Sequence, residues 1–248
     1  MKIKPQHALV LLAGLSASSV FARPLGIAVS SYSGSINWSE VKADGVTFAF
    51  TKATEGTYYE DSYYDSNMSG GKTAGILMGA YEFARPDIDT PAQEAAYFWN
   101  YAKGKIKADG KTLMPMIDFE TFAGHVGTST YTQWFNQWSS DIVQDGENAG
   151  VTLKPVIYVS ACGGACDLNT NIKLGAFIAN ENGEDYQTGN PWNVCTGCNV
   201  WDPGTTGGWI YWDFGTGSIT GISGEVSLLT FNGTLADLKA TEVVTTYP

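Results

Sequence analysis

Short apolar runs recur along the chain and alternate with segments of helical periodicity. Eight of these runs have the length of a β-strand, and most of them are almost continuously apolar, which is typical of strands buried on both faces. The predicted strands are residues 25–30, 46–51, 76–83, 113–119, 155–159, 174–179, 209–214 and 225–231.

Two long helices are predicted between these strands. Thr90, Pro91 and Gln93 have the residue types of an N-cap, a first helical position and a capping box, so a helix is expected to begin there. A second helix is predicted over 130–149, where Gly150 ends it. Alternating strands and helices predict an α/β fold with a parallel sheet and right-handed crossovers.

The last three predicted strands have little helix between them, so the pattern favours a (β/α) barrel whose last third is irregular. Functional groups of such barrels lie at the C-terminal ends of the strands. The segment 181–208 is rich in Asn, Gly, Pro and Cys. A loop of that length is usually functional or cross-linked.

Residues 1–22 have the pattern of a secretory signal peptide. Lys2 and Lys4 form a basic start, residues 8–15 are apolar, and Val20 and Ala22 place small side chains at positions −3 and −1 of a cleavage site after Ala22. The apolar run is too short to span a membrane, and no second span is expected. We therefore expect a secreted protein whose single domain covers 23–248.

The composition is acidic, which narrows the possible partners. The chain has 14 Lys and Arg against 25 Asp and Glu, and loss of Lys2 and Lys4 takes the net charge from −11 to −13. Such a chain repels phosphate backbones and anionic lipid, so we expect no nucleic-acid or membrane partner. His125 is the one histidine of 23–248, which excludes a His-rich zinc site, and no metal or cofactor is expected.

The chain has four cysteines, an even number that favours two disulfides in a secreted protein. Three connectivities are possible. Each of the two Cys pairs lies within one short glycine-containing turn, so we predict the local bonds Cys162–Cys166 and Cys195–Cys198.

Two acids, Asp118 and Glu120, stand two positions apart at the end of the fourth predicted strand. Residues i and i+2 of a strand point to the same side, with Cα atoms about 6.6 Å apart, so both carboxyl groups are expected in the barrel mouth. Repulsion between them raises one pKa. The protonated carboxyl can then act as general acid on a glycosidic oxygen while its partner orients a water molecule or an N-acetyl group. The alternative is a pair of solvent-facing acids.

In eight segments, which occur in the same order, the chain resembles glycoside hydrolase family 25, the N,O-diacetylmuramidase type of lysozyme. These segments are 26–38, 50–56, 75–86, 117–120, 155–158, 177–180, 212–214 and 221–227. The resemblance implies an irregular TIM-like (β/α)5(β)3 barrel. It also implies hydrolysis of β-1,4 bonds between N-acetylmuramic acid and N-acetylglucosamine in peptidoglycan, with Asp118 and Glu120 as catalytic residues.

The chain also departs from the family pattern. Ala28 and Ser227 stand at positions where the family has active-site acids. Acids stand instead at three positions near strand ends where the family usually has other residues. These are Glu82, Glu181 and Asp213. Carboxyl groups have therefore either moved around the mouth or been lost together with activity.

Seven residues at or just past predicted strand ends are expected to bind sugar. Aromatic rings there can stack on pyranose faces, and acids can accept hydrogen bonds from hydroxyl groups. The set is Tyr32, Tyr81, Glu82, Tyr158, Glu181, Trp212 and Asp213.

The leading expectation is a secreted, monomeric, lysozyme-like glycoside hydrolase whose partner is a polysaccharide. One alternative is a non-catalytic carbohydrate-binding barrel, which the neutral residues Ala28 and Ser227 favour. Another is a hydrolase of a different N-acetylated glycan such as chitin, although the longer chitinase pattern D-x-x-D-x-D-x-E is absent.

Overall fold

The computed structural model describes residues 22–120 and 127–248. The predicted signal peptide, apart from Ala22, and His125 lie outside the described residues. The predictions made for them stay predictions.

Eight strands form a closed barrel, which confirms the TIM-like α/β prediction. They are β1 (Leu25–Val29), β2 (Phe48–Glu55), β3 (Leu77–Phe83), β4 (Met116–Asp118), β5 (Val156–Ser160), β6 (Gly175–Ala179), β7 (Tyr211–Ser218) and β8 (Glu225–Phe231). Each strand pairs with the next one, and β8 pairs with β1 to close the barrel. All eight overlap the strands predicted from the apolar runs.

The last strand breaks the parallel arrangement expected from the alternation of strands and helices. β8 runs antiparallel to both β7 and β1, whereas the other barrel pairs are parallel. Only residues 219–224 join β7 to β8. A parallel return needs a crossover of about a dozen residues or more, so this short connection permits only a hairpin.

The described part of the chain contains five α-helices. They are α1 (Trp38–Ala43), α2 (Tyr64–Thr73), α3 (Pro91–Ala102), α4 (Thr128–Asn148) and α5 (Leu235–Thr241). The predicted start of α3 is confirmed, because the Thr90 side chain accepts from the Gln93 N–H and Gln93 completes the capping box. Gly150 follows α4 in the left-handed region with a φ of 77°, which ends the helix as predicted.

Short elements complete the fold. The two-residue strand Tyr59–Glu60 pairs with the end of β2, and Val151–Thr152 pairs with Thr245–Thr246. Three 3-10 turns are formed by Ser31–Ser33, Gly164–Asp167 and Thr196–Cys198. No helix within 22–120 and 127–248 is long and apolar enough to cross a membrane.

Aromatic rings fill the inside of the barrel and form the base of the cavity above them. Phe50, Phe177 and Tyr211 are fully buried there, with ring centroids between 5.1 and 5.6 Å apart. A second apolar layer lies between the sheet and the helices, where Phe98 of α3 packs against Trp138 of α4. The aromatic plug therefore holds the strands apart at a fixed distance and carries the site on a rigid base.

The predicted local disulfides are wrong. Cys162 is bonded to Cys195 and Cys166 to Cys198, so both bonds cross between the loop after β5 and the long loop after β6. The 3-10 turns in these two loops lie side by side, which brings each cysteine opposite a cysteine of the other loop. The first bond spans 33 residues and is expected to stabilise the fold by about 3–4 kcal/mol, far more than a four-residue loop would.

Candidate active site

A pocket of about 330 Å³ opens at the C-terminal end of the barrel strands. β1, β2, β3, β4, β5, β7 and β8 contribute residues to its walls, and Phe177 of β6 lies at its base. Its described acids are Asp118, Glu120, Asp213 and Glu225. The pocket therefore lies where barrel enzymes hold their functional groups.

Asp118 and Glu120 lie in this pocket together, as the strand spacing predicts. The residue between them, Phe119, points outwards into the helix layer and packs against Phe135 at 4.6 Å between ring centroids. Asp118 is at the inner end of the pair and Glu120 at the exposed end. The exposed carboxyl group is thus the one that an entering substrate meets first.

Burial raises the pKa of both carboxyl groups. The pKa of Asp118 is raised well above its usual range, first by burial and then by the negative charge of Glu120. Partial burial also raises the pKa of Glu120. The pair therefore retains a proton at a pH at which free carboxylic acids have lost theirs.

The inner carboxyl group also has an unused acceptor. Among the described residues, no group donates a hydrogen bond to Asp118 Oδ1, although this atom is buried. A buried acceptor without a partner costs free energy unless a ligand supplies the donor. An amide N–H of a substrate would satisfy it.

Lys52 is a pocket residue that the sequence analysis did not single out. Its Nζ lies 2.7 Å from Glu55 Oε2 and 4.8 Å from the centre of the Phe83 ring. Its positive charge lowers the pKa of Asp118 and of Glu120, against the effect of burial. The signal that could have identified it is a lysine inside an otherwise apolar strand, two residues after the inward-facing Phe50.

Asp213 and Tyr158 form a second polar group in the pocket. Tyr158 Oη donates to Asp213 Oδ2 at 3.0 Å, and the Gly215 N–H donates to Oδ1 at 3.2 Å. Burial raises the pKa of Asp213 to about 6, while hydrogen bonds from Tyr158, Gly215 and Ser227 lower it and the charge of Glu181 raises it further. Both residues were predicted at the mouth.

Two more of the predicted aromatic residues lie at the pocket. Tyr81 lines its inner wall, whereas Tyr32 stands at the rim with 95% of its surface exposed. An exposed ring beside a polar pocket is suited to stacking on a sugar face.

The structure corrects the placement of Glu82. Tyr81 and Phe83 point into the pocket, so Glu82 between them points to the opposite side of β3. It is fully buried in the helix layer, where Oε2 accepts from Trp138 Nε1 at 2.8 Å and the carboxyl group faces Glu94 of α3. Glu82 therefore has no access to a substrate in this pocket.

Trp212 and Glu181 were also expected at the mouth. Trp212 is fully buried on the outer side of β7, and its Nε1 donates to the Asn180 carbonyl at 2.9 Å, so the prediction for its location is wrong. Glu181 is exposed beside Gly215 and outside the pocket lining. It acts on the pocket only through the charge that raises the pKa of Asp213.

Ala28 and Ser227 are direct neighbours on the pocket wall. They oppose each other in the pairing of β1 with β8, and both line the pocket. This part of the wall thus presents a methyl and a hydroxyl group. Within residues 22–120 and 127–248, no cluster of three or more His, Cys, Asp or Glu side chains is arranged to hold a metal ion.

A carboxyl pair that retains a proton, placed in a pocket with aromatic rings at the C-terminal end of a barrel, defines a site of the glycosidase class. The sequence model of the family described as Glycosyl hydrolases family 25 matches residues 27–165. Lysozyme M1 of Streptomyces globisporus is 31% identical over 239 residues, which cover 87% of this chain and 70% of that protein.

Two further comparisons agree. The N,O-diacetylmuramidase of Chalaropsis sp is 30% identical over 161 residues, covering 59% of this chain and 74% of that protein. The crystal structure of the bacterial lysozyme from Streptomyces coelicolor superposes with a TM-score of 0.72 and 31% identity, covering 88% of this chain and 95% of that one. The chain belongs to glycoside hydrolase family 25 and is a glycoside hydrolase.

Proposed function

We propose that this protein hydrolyses β-1,4 bonds between N-acetylmuramic acid and N-acetylglucosamine in peptidoglycan, with Glu120 as general acid and Asp118 assisting. The observation that carries the proposal is the position of this carboxyl pair, one member half-buried and one exposed, in the pocket at the C-terminal end of β4. Similarity to a lysozyme and to an N,O-diacetylmuramidase supports peptidoglycan as the substrate.

In the proposed reaction, the Glu120 carboxyl group gives its proton to the glycosidic oxygen as the bond from that oxygen to the anomeric carbon breaks. Water then supplies the hydroxyl group at the anomeric carbon and returns a proton to the carboxylate, so the enzyme is unchanged. Asp118 Oδ1 accepts a hydrogen bond from the substrate's N-acetyl N–H, which would satisfy this buried atom. When one acid of the pair is ionised, its negative charge raises the pKa of the other acid, which therefore retains its proton.

The test is incubation of the purified chain from residue 23 with insoluble peptidoglycan, followed by measurement of new reducing ends. We expect Glu120→Gln to lower the rate by about 10²-fold or more, because glutamine keeps the shape but has no acidic proton to give. The matched control is Glu147→Gln on the outer helix α4, which removes the same charge far from the pocket and should keep the wild-type rate. A wild-type rate in the Glu120 variant would refute the assignment.

A second candidate function is sugar binding without catalysis. The observation that favours it is the neutral wall formed by Ala28 and Ser227. The same incubation separates the two candidates, because a binding protein would sediment with the insoluble peptidoglycan and release no reducing ends.

We also propose that the protein is secreted. Its two disulfides support an oxidising compartment, and the signal pattern over residues 1–22 supports export. N-terminal sequencing of the protein recovered from culture medium should begin at Arg23. Recovery of the protein only inside the cell would contradict the proposal.

A further inference from the structure

Asp213 lies across the barrel from the general acid. It is on β7, three strands further around the barrel than β4, which carries Asp118 and Glu120. Only 5% of Asp213 is exposed, and that part faces the pocket. A substrate in the pocket would therefore lie between these acids and Asp213.

A β-bulge and two hydrogen bonds hold the Asp213 carboxyl group in place. β7 bulges after Asp213, since Leu229 pairs with Asp213 and Leu228 with Gly215 while Phe214 is skipped. The bulge turns the Gly215 N–H back to Asp213 Oδ1, and Tyr158 holds Oδ2 from the other side. Bulges are common next to active sites because they redirect a side chain. Both oxygens are thus fixed in the pocket wall.

The surroundings keep Asp213 charged at neutral pH. The groups that act on its charge are the hydroxyls of Tyr158 and Ser227, the Gly215 N–H, and the acids Glu181 and Asp118. The other charged residues of the same pocket are Lys52, Glu120 and Glu225. The hydroxyls and the N–H stabilise the ionised form, and the pKa of about 6 leaves the group ionised at pH 7. Its charge in turn raises the pKa of Asp118. The proton therefore stays on the Asp118–Glu120 side, and a fixed negative charge stays on the other.

We propose that Asp213 is a catalytic carboxylate of this enzyme, whose negative charge stabilises the positive charge that develops at the anomeric carbon and ring oxygen as the glycosidic bond breaks. Neighbouring Ala28 and Ser227 supply no such charge from their part of the wall. A charge that is fixed beforehand in a buried site acts strongly on a transition state. This inference rests on the proposed hydrolysis of the glycan.

The deciding variant is Asp213→Asn, measured with peptidoglycan beside the wild type. Asparagine fits the site, because its oxygen accepts from the Gly215 N–H and its amino group donates to Tyr158 Oη. We expect kcat to fall by about 10²-fold. The acid limb near pH 6 in the pH profile of kcat/KM should disappear, and the melting temperature should stay close to that of the wild type. A purely structural role would move the melting temperature and leave the limb in place.

Tyr158→Phe provides a second measurement that does not depend on the asparagine variant. Loss of one hydrogen bond to the ionised carboxylate raises the pKa of Asp213, so the acid limb of kcat/KM should shift to higher pH. Two results would overturn the inference while the wild type is active: an unchanged acid limb in Tyr158→Phe, or a wild-type rate in Asp213→Asn. Either result leaves the proposed function intact. A wild type that releases no reducing ends overturns both.

Discussion

Two pairs of acids lie on opposite sides of the sheet formed by β3 and β4, one pair in the pocket and the other behind the strands. The first pair, Asp118 and Glu120, faces the pocket from β4. The second pair, Glu82 of β3 and Glu94 of α3, is fully buried behind the sheet. Burial raises the pKa of all four carboxyl groups, that of Glu94 to about 8.

The comparison shows that a raised pKa alone does not identify a catalytic acid. In the buried pair, Glu82 Oε2 accepts from Trp138 Nε1 at 2.8 Å and Glu94 accepts from the Arg85 N–H at 3.0 Å, whereas Glu82 Oε1, like Asp118 Oδ1, has no hydrogen-bond partner among the described residues. Neither Glu82 nor Glu94 lines the pocket. The unpaired oxygens differ in their surroundings, because Asp118 lines the pocket whereas Glu82 is fully buried behind the sheet. Access to substrate therefore separates a catalytic pair from a structural one.

The largest expected difference is in rate. Asp118→Asn should lower the release of reducing ends by about 10²-fold, because asparagine keeps an acceptor oxygen but has neither the negative charge nor the titratable proton through which Asp118 is coupled to Glu120. Glu82→Gln changes an acid of the adjacent strand that lies behind the sheet, outside the pocket, and should leave the rate unchanged. Both variants are measured with the same peptidoglycan. Equal losses in the two variants would break the comparison.

The next difference is in stability. Glu82→Ala should lower the free energy of unfolding by about 2–4 kcal/mol, because it leaves the Trp138 N–H without a partner and opens a cavity. Glu82→Gln should cost less than about 1 kcal/mol, since the glutamine amide copies the protonated acid. Urea unfolding at pH 6 measures both. A tolerated alanine would mean that the buried pair contributes little to the fold.

The smallest effect is the dependence of stability on pH. The pKa of Glu94, about 8 in the folded chain, is raised above its unfolded value. The stabilisation linked to this proton is complete below the unfolded pKa and is lost as the pH rises through the folded one, between about pH 4.5 and pH 8. Glu94→Gln removes the group that takes up this proton and should flatten the slope by about 1 kcal/mol per pH unit. Urea midpoints at several pH values measure the slope, and identical slopes in both proteins would refute the sharing of a proton.

The sequence predicts the barrel well because its strands are continuous apolar runs bounded by turns. The same feature explains why the placement of single side chains failed. In strands buried on both faces, hydrophobicity does not reveal which side faces the pocket, so Tyr81 and Glu82 were both assigned to the mouth. Strand alternation allows only one of two adjacent residues to face inwards, and the same rule separates Asp213 from Trp212. The acids Asp118 and Glu120 were placed correctly because their spacing of two satisfies this rule.

The disulfide pairing could not be predicted from the residues around each cysteine. Cys162 and Cys195 meet because strands β5 and β6 are neighbours, so the loops that follow them leave the barrel side by side. The residue types of the turn around each cysteine indicate only the local chain conformation. They do not indicate which other loop lies beside that turn in the fold. Lys52 was overlooked for a related reason, since its importance comes from acids on another strand.

The closure of the barrel by β8 has a consequence for how the chain reaches its fold. β1 pairs on one side with β2 and on the other with β8, where Leu25 meets Thr230. Contacts so distant in sequence form late and slowly, because a long loop must close before they yield any stabilisation. Residues 27–165, the part that the family model matches, end with β5 and leave the ring open. A nascent chain therefore holds no completed pocket until its last barrel strand has been synthesised, and a chain cut before Glu225 would keep β1 and β7 as exposed edges prone to association.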